Sequence, residues 1–153
     1  MSWRQELRGR LAGRRFAVLC LGARGMGDDA AGPLVAEKLR RLGVPVEEAA
    51  VALDAVGRLR ELKPEAVVLV DAVLGGEPGE IVILSPSDLD EALPMASTHR
   101  VPPRLLEEAL GVEVVVVGIA AGRIEPGAPP GPRVVEAAEK LAEELARLSR
   151  AHR

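Results

Sequence analysis

Two aspartates placed after apolar runs, and one loop histidine, carry most of the reactive chemistry this chain can offer. Asp29 lies in Gly22-Ala-Arg-Gly-Met-Gly-Asp-Asp-Ala-Ala-Gly-Pro33, which leaves the run Phe16-Ala-Val-Leu-Cys-Leu21. Asp71 closes the run Glu65-Ala-Val-Val-Leu-Val70, and His99 sits in Ser97-Thr-His-Arg-Val-Pro102 ahead of a helix. Like charges held close need a proton, a cation or a partner between them. Two carboxylates and one imidazole suit a divalent transition metal with open coordination positions. Asp28 is read differently, as the residue placed to cap the following helix, with Asp29 in its first turn. Cys20 lies inside the first apolar run and is read as a small core residue.

The scarcity of other reactive groups narrows the function. The chain has 153 residues, with 48% hydrophobic but only 1% aromatic residues, no Tyr, one Cys and two His. It contains no Asn, and Gln5 is its single Gln. One Cys excludes an internal disulfide and a Cys-rich zinc site. Two His exclude a three-His metal site, and His152 is the penultimate residue. Trp3 and Phe16 cannot form a base-stacking platform, and a net charge of −3 offers no electrostatic footprint for nucleic acid. No apolar stretch approaches the roughly 18 residues of a membrane span. Met1 to Arg15 carries five arginines among Trp3, Leu7 and Leu11, the pattern of a short amphipathic helix and not of a signal peptide. The expectation is a soluble, cytoplasmic protein with no membrane partner.

These side chains need a scaffold that brings them together. Phe16–Leu21 reads as a strand buried on both faces. Asp28–Leu42 reads as a helix, with Lys38, Arg40 and Arg41 in its last turns. Val44–Glu48 is a weak strand, and Leu53–Leu62 a helix stopped before Pro64. Glu65–Val70 is the clearest strand. Glu80–Leu84 is expected to run antiparallel to its neighbour, because the Gly75–Gly79 connection is short. Ser87–Leu93 reads as a helical turn and Pro94–Pro102 as a loop. Pro103–Leu110 reads as a helix, Val112–Ile119 as a buried strand, and Arg133–Leu148 as an amphipathic helix. Alternating strands and helices predict a three-layer α/β/α domain over residues 1–153, with a mostly parallel sheet. In such sheets the ligand site lies beyond the carboxyl ends of the strands.

The glycine loop also admits a dinucleotide reading. Gly25, Gly27 and Ala30 match G-x-G-x-x-G/A, and Glu47 stands where a ribose-binding acid is expected. Against it, the strand has already turned at Gly22. Two carboxylates would also occupy the helix N-terminus, where a pyrophosphate needs positive potential.

Met26-Gly-Asp-Asp-Ala-Ala-Gly-Pro33, Val70-Asp-Ala72, Pro78-Gly-Glu80 and Thr98-His99, in that order, resemble the hydrogenase maturation proteases. The resemblance runs from about Phe16 to the last helix. It implies a phosphorylase/hydrolase-like fold with a mixed five-stranded sheet. It implies an endopeptidase that trims the C-terminal extension of the large-subunit precursor of nickel–iron hydrogenases. Asp29, Asp71 and His99 would then be the catalytic and metal-binding residues. No tightly held cofactor is implied: nickel arrives with the substrate, and zinc or cadmium can stand in for it in crystals. The chain departs from the family pattern at Ala23, where Asn is usual, and at Glu47–Ala50, where a D-G-G-type segment is usual. The alternative function is a non-catalytic metal- or partner-binding module on the same fold.

Overall fold

The computed structural model describes residues 1–84 and 102–151. Helix α1 (Trp3–Leu11) leads into β1 (Phe16–Leu21), a 3-10 turn (Gly27–Ala30) and α2 (Ala31–Arg41). Then come β2 (Glu47–Ala49), a second 3-10 turn (Ala52–Ala55), α3 (Val56–Glu61), β3 (Ala66–Val73) and β4 (Ile81–Leu84). Helix α4 (Pro103–Leu110), β5 (Glu113–Ala120) and α5 (Pro132–Arg150) complete the described elements. The expected turn at Ser87–Leu93 and all but the last residue of the Pro94–Pro102 loop lie outside the described residues.

The five strands form one mixed sheet in the order β2-β1-β3-β5-β4. The pairs β1–β2, β1–β3 and β3–β5 are parallel, and β4 is antiparallel. The expected direction of β4 is therefore present, but its neighbour is β5 and not β3. A short connection constrains where β4 begins, and β5 still takes the interior position. Its run from Val114 to Val117 is buried on both faces, as an interior strand of a covered parallel sheet must be.

Strand alternation divides the core in two. Val18, Cys20, Val68, Val70, Val115 and Val117 face α1, α2 and α5. Ala17, Leu19, Leu21, Val67, Leu69, Val114 and Val116 face α3 and α4. This is the three-layer arrangement expected from the element pattern. With so few aromatics the filling is aliphatic, and Trp3 and Phe16 only flank the first cluster. Burial pushes the Cys20 thiol pKa up, in keeping with its reading as a core residue. No helix among the described residues is long and apolar enough to cross a membrane.

One buried charge lies far from the strand ends. Glu144 is 1% exposed on α5. It accepts two hydrogen bonds from Arg8 at 3.0 and 3.1 Å and one from Arg147 at 3.1 Å, with Arg4 at 3.7 Å. The Arg8 bonds hold its carboxyl below the usual Glu range and tie α1 to α5. A depressed folded-state pKa contributes stability above the unfolded value, and that contribution is lost as pH falls through the folded value. Glu144→Gln is therefore expected to cost about 1 kcal/mol near neutral pH, since the arginines are half-exposed and screened. The deficit should shrink below about pH 4. Melting temperatures of both proteins from pH 7 to pH 3 check this, and a deficit that stays constant with pH would contradict it.

Candidate functional site

The sheet order creates a crevice at a defined place. From β1 the chain moves outward to β2 on one side and to β3 on the other, so the carboxyl ends of β1 and β3 flank the switch point where α/β ligands bind. The register pairs Cys20 with Val70. Leu21 and Asp71 therefore follow side by side at that edge.

Asp71 does not terminate its strand, as the sequence suggested. β3 continues to Val73, and Asp71 pairs with Gly118 of β5. The longer strand reflects this pairing, which runs on to Ala120. Asp71 is fully buried, in the same alternating series as Leu69 and Val73, toward α3 and α4. Its Oδ1 accepts from the Ala72 amide at 2.8 Å. Gly118, paired with it across the sheet, is a close-packed position that the sequence reading missed. A Cβ there would lie 2.6 Å from Val73 Cγ1. Glycine inside a Val-rich strand is the signal that could have found it.

Asp29 lies on the turn that follows β1. Gly22, at φ +141°, turns the chain off β1, and a Cβ on it would lie 2.3 Å from the Asp29 carbonyl oxygen. The Ala23 amide donates to that carbonyl at 3.1 Å, folding the loop back on itself. Gly32 lets the first turn of α2 press onto β1, since a Cβ there would be 1.9 Å from the Leu21 carbonyl oxygen. The turn that carries Asp29 thus packs against β3, the strand that carries Asp71. Asp29 is 8% exposed. Its Oδ1 has no hydrogen-bond partner among the described residues. Burial raises its pKa, against an opposing pull from the Ala23 amide.

The third member expected from the sequence, His99, lies outside the described residues. Among the described residues no three His, Cys, Asp or Glu side chains gather to hold a metal.

Asp28 is not the cap of α2, contrary to the sequence reading. The helix begins at Ala31 with no side-chain cap. The Asp28 carboxylate is turned to the β5–α5 connection instead. Its Oδ2 accepts from the amides of Gly122 and Arg123 at 2.6 and 3.0 Å, and its Oδ1 from the Gly131 amide at 2.7 Å. Three converging donors outcompete the single bond that a cap would make.

The same geometry counts against dinucleotide binding. The Gly27 and Asp28 amides, which a pyrophosphate would need, donate to the carbonyls of Ala128 and Arg123. Glu47, the supposed ribose ligand, is paired with Arg58. The neighbouring Glu48 is held by Arg24 at 3.1 Å and Arg40 at 2.9 Å. The segment that departs from the family pattern is therefore bound into ion pairs on β2.

No protein-family model matches the chain. Over 111 residues, spanning 67% of this chain and 70% of the relative, it is 38% identical to the hydrogenase 3 maturation protease of Escherichia coli (strain K12). Its structure resembles the crystal structure of a NiFe hydrogenase maturation protease HycI from Thermococcus kodakarensis KOD1, with a TM-score of 0.80 and 32% sequence identity. That likeness covers 95% of this chain and 99% of the other. It also resembles the solution structure of an endopeptidase HycI from Escherichia coli, with a TM-score of 0.75 and 32% identity, over 88% of this chain and 89% of the other.

Proposed function

This chain belongs to the hydrogenase maturation protease family, and on that premise we propose that it removes the C-terminal extension from a nickel-loaded precursor of a hydrogenase large subunit. Asp29, Asp71 and His99 receive the nickel that the precursor carries, so that only a metal-loaded subunit is cut. The nickel is part of the substrate.

The observation that supports this reading is a pair of buried aspartates, one on the turn after β1 and one on β3, on elements that pack against each other. Asp29 comes from the turn after β1, and Asp71 lies within β3, two residues before its last residue, Val73. Asp29 Oδ1, buried and without a hydrogen-bond partner among the described residues, is a hard anionic donor of the kind a divalent cation satisfies. The peptide bond is attacked by water, and Asp29 is the better suited of the chain's groups to take its proton. Burial raises the Asp29 pKa, which makes its carboxylate a stronger base than an exposed aspartate.

The test is to incubate the protein with purified precursor, nickel-loaded and nickel-free, and to weigh the products by mass spectrometry. Loss of the tail mass from the nickel-loaded form alone is expected. Equal cutting of both forms would overturn the role of nickel, and no cutting of either would overturn the endopeptidase. A second reading, a non-catalytic binding module, draws on Ala23 and on the ion-paired Glu47 and Glu48. Tight binding of the loaded precursor with no loss of mass would favour it.

A further inference from the structure

We propose that Asp28 is the positioning residue of this site: its carboxylate clamps the β5–α5 connection onto the 3-10 turn and thereby sets where the neighbouring Asp29 presents its own carboxylate. The inference deepens the endopeptidase reading and rests on it.

Two independent observations meet here. Asp29 Oδ1 has no hydrogen-bond partner among the described residues. Among the described residues that oxygen accepts no bond, so its place follows the main chain of Gly27–Ala30. That main chain in turn has few local constraints. Gly22 and Gly25 both have positive φ, and the 3-10 turn has no side-chain cap.

What stiffens the turn comes from distant sequence. The Gly27 amide donates to the Ala128 carbonyl at 2.9 Å, and the Asp28 amide to the Arg123 carbonyl at 2.7 Å. The Gly127 amide donates to the Gly25 carbonyl at 2.7 Å. The Asp28 carboxylate then gathers the amides of Gly122, Arg123 and Gly131. Gly131 is the N-cap residue of the 19-residue α5, so the clamp ends on a long, packed helix. A carboxylate at that helix end is also favoured by the helix dipole. Asp28 is 3% exposed, which leaves its bonds little competition from water. The result is one rigid unit made of two loops, with Asp29 as the next residue along.

The choice of side chain is narrow. Asn has one acceptor oxygen, and its amide nitrogen would face amide donors. Asp28→Asn therefore breaks the clamp on one side with almost no change in volume.

The experiment compares wild type and Asp28→Asn well below both melting temperatures. It measures steady-state cleavage of nickel-loaded precursor and hydrogen exchange of single amides. The expected result is a kcat lower by 10- to 100-fold with KM within about two-fold. Exchange should quicken at the Ala23 amide, which donates to the Asp29 carbonyl, and not in β3 or β5. Gly122→Ala is the second variant. It keeps Asp28 but places a Cβ 2.9 Å from Pro78 Cγ and 3.3 Å from Asp28 Oδ2, so it pushes Gly122 off the clamp from the other side; the same pattern in smaller degree is expected. Should Asp28→Asn fail to fold, Gly122→Ala decides the question.

Unchanged kcat with a lowered melting temperature would make Asp28 merely structural and overturn the proposal. So would faster exchange spread evenly over the sheet, or a rise in KM alone. If the wild type itself leaves the precursor intact, the endopeptidase reading falls, and the Ala23 exchange still decides whether Asp28 positions Asp29.

Discussion

Asp29→Asn is expected to lower cleavage of the nickel-loaded precursor by at least about 100-fold while raising the melting temperature. The two effects have one cause. Burial penalises the charged form of Asp29, and its pKa is raised. A group with a raised folded-state pKa contributes stability at pH below its unfolded value, and that contribution is lost as pH rises through the folded value. The ionised carboxylate is therefore the form that the fold disfavours. A neutral amide of the same shape relieves that penalty, so the melting temperature rises. Stability given up at one position for the sake of chemistry is the usual mark of a functional side chain. Asp71→Asn and His99→Ala are expected to lose activity to a similar degree. Precursor cleavage and thermal melts of the same preparations check the set. Full activity in Asp29→Asn would remove the residue from the site, and a lowered melting temperature would remove the explanation offered for its burial.

Gly32→Ala should destabilise the fold by about 3 kcal/mol, at the upper end of what overpacking costs. The sign is the reverse of the usual one. Alanine in a helix is ordinarily favoured over glycine by about 1 kcal/mol. At Gly32, however, the added Cβ would lie 1.9 Å from the Leu21 carbonyl oxygen and 2.9 Å from its carbonyl carbon. Both are main-chain atoms of a central strand and cannot swing aside. The first turn of α2 would have to lift off β1, carrying the 3-10 turn and Asp29 with it. Activity should fall along with stability. Gly57→Ala is the control: Gly57 lies in α3, and a Cβ there would meet nothing within 4 Å. It should be neutral or mildly stabilising. Denaturant melts of the three proteins test the contrast, and a neutral Gly32→Ala would show that α2 does not sit against β1 as described.

Much of the scaffold was legible in the sequence because it is written locally. Apolar runs such as Phe16–Leu21 and Val114–Val117 have only one way to satisfy both their backbone and their side chains, as strands covered on two faces. Helix α4 matches its expected span because Pro103 opens it and Gly111, in the left-handed conformation, closes it. Asp29 and Asp71 were singled out by a rule of the same kind. In a parallel sheet the strand ends are where side chains can meet a ligand.

The remainder was decided at long range. An apolar run reads alike in any interior slot of a sheet, so the place of β5 between β3 and β4 could not be taken from its composition. Asp28 shows the same limit at a single side chain. An aspartate just before a helix is, by local chemistry, a cap. Its actual donors lie 94 to 103 residues further along the chain, and nothing near position 28 announces them. The sequence alone determined which residues could do chemistry and which strand ends would carry them. Only the tertiary structure decided that the first acid of the pair secures the loop, while the second is buried with one carboxylate oxygen unpartnered among the described residues. Hydrogen-bond donors converge on a carboxylate by the path of the whole chain, and local propensity does not record that path.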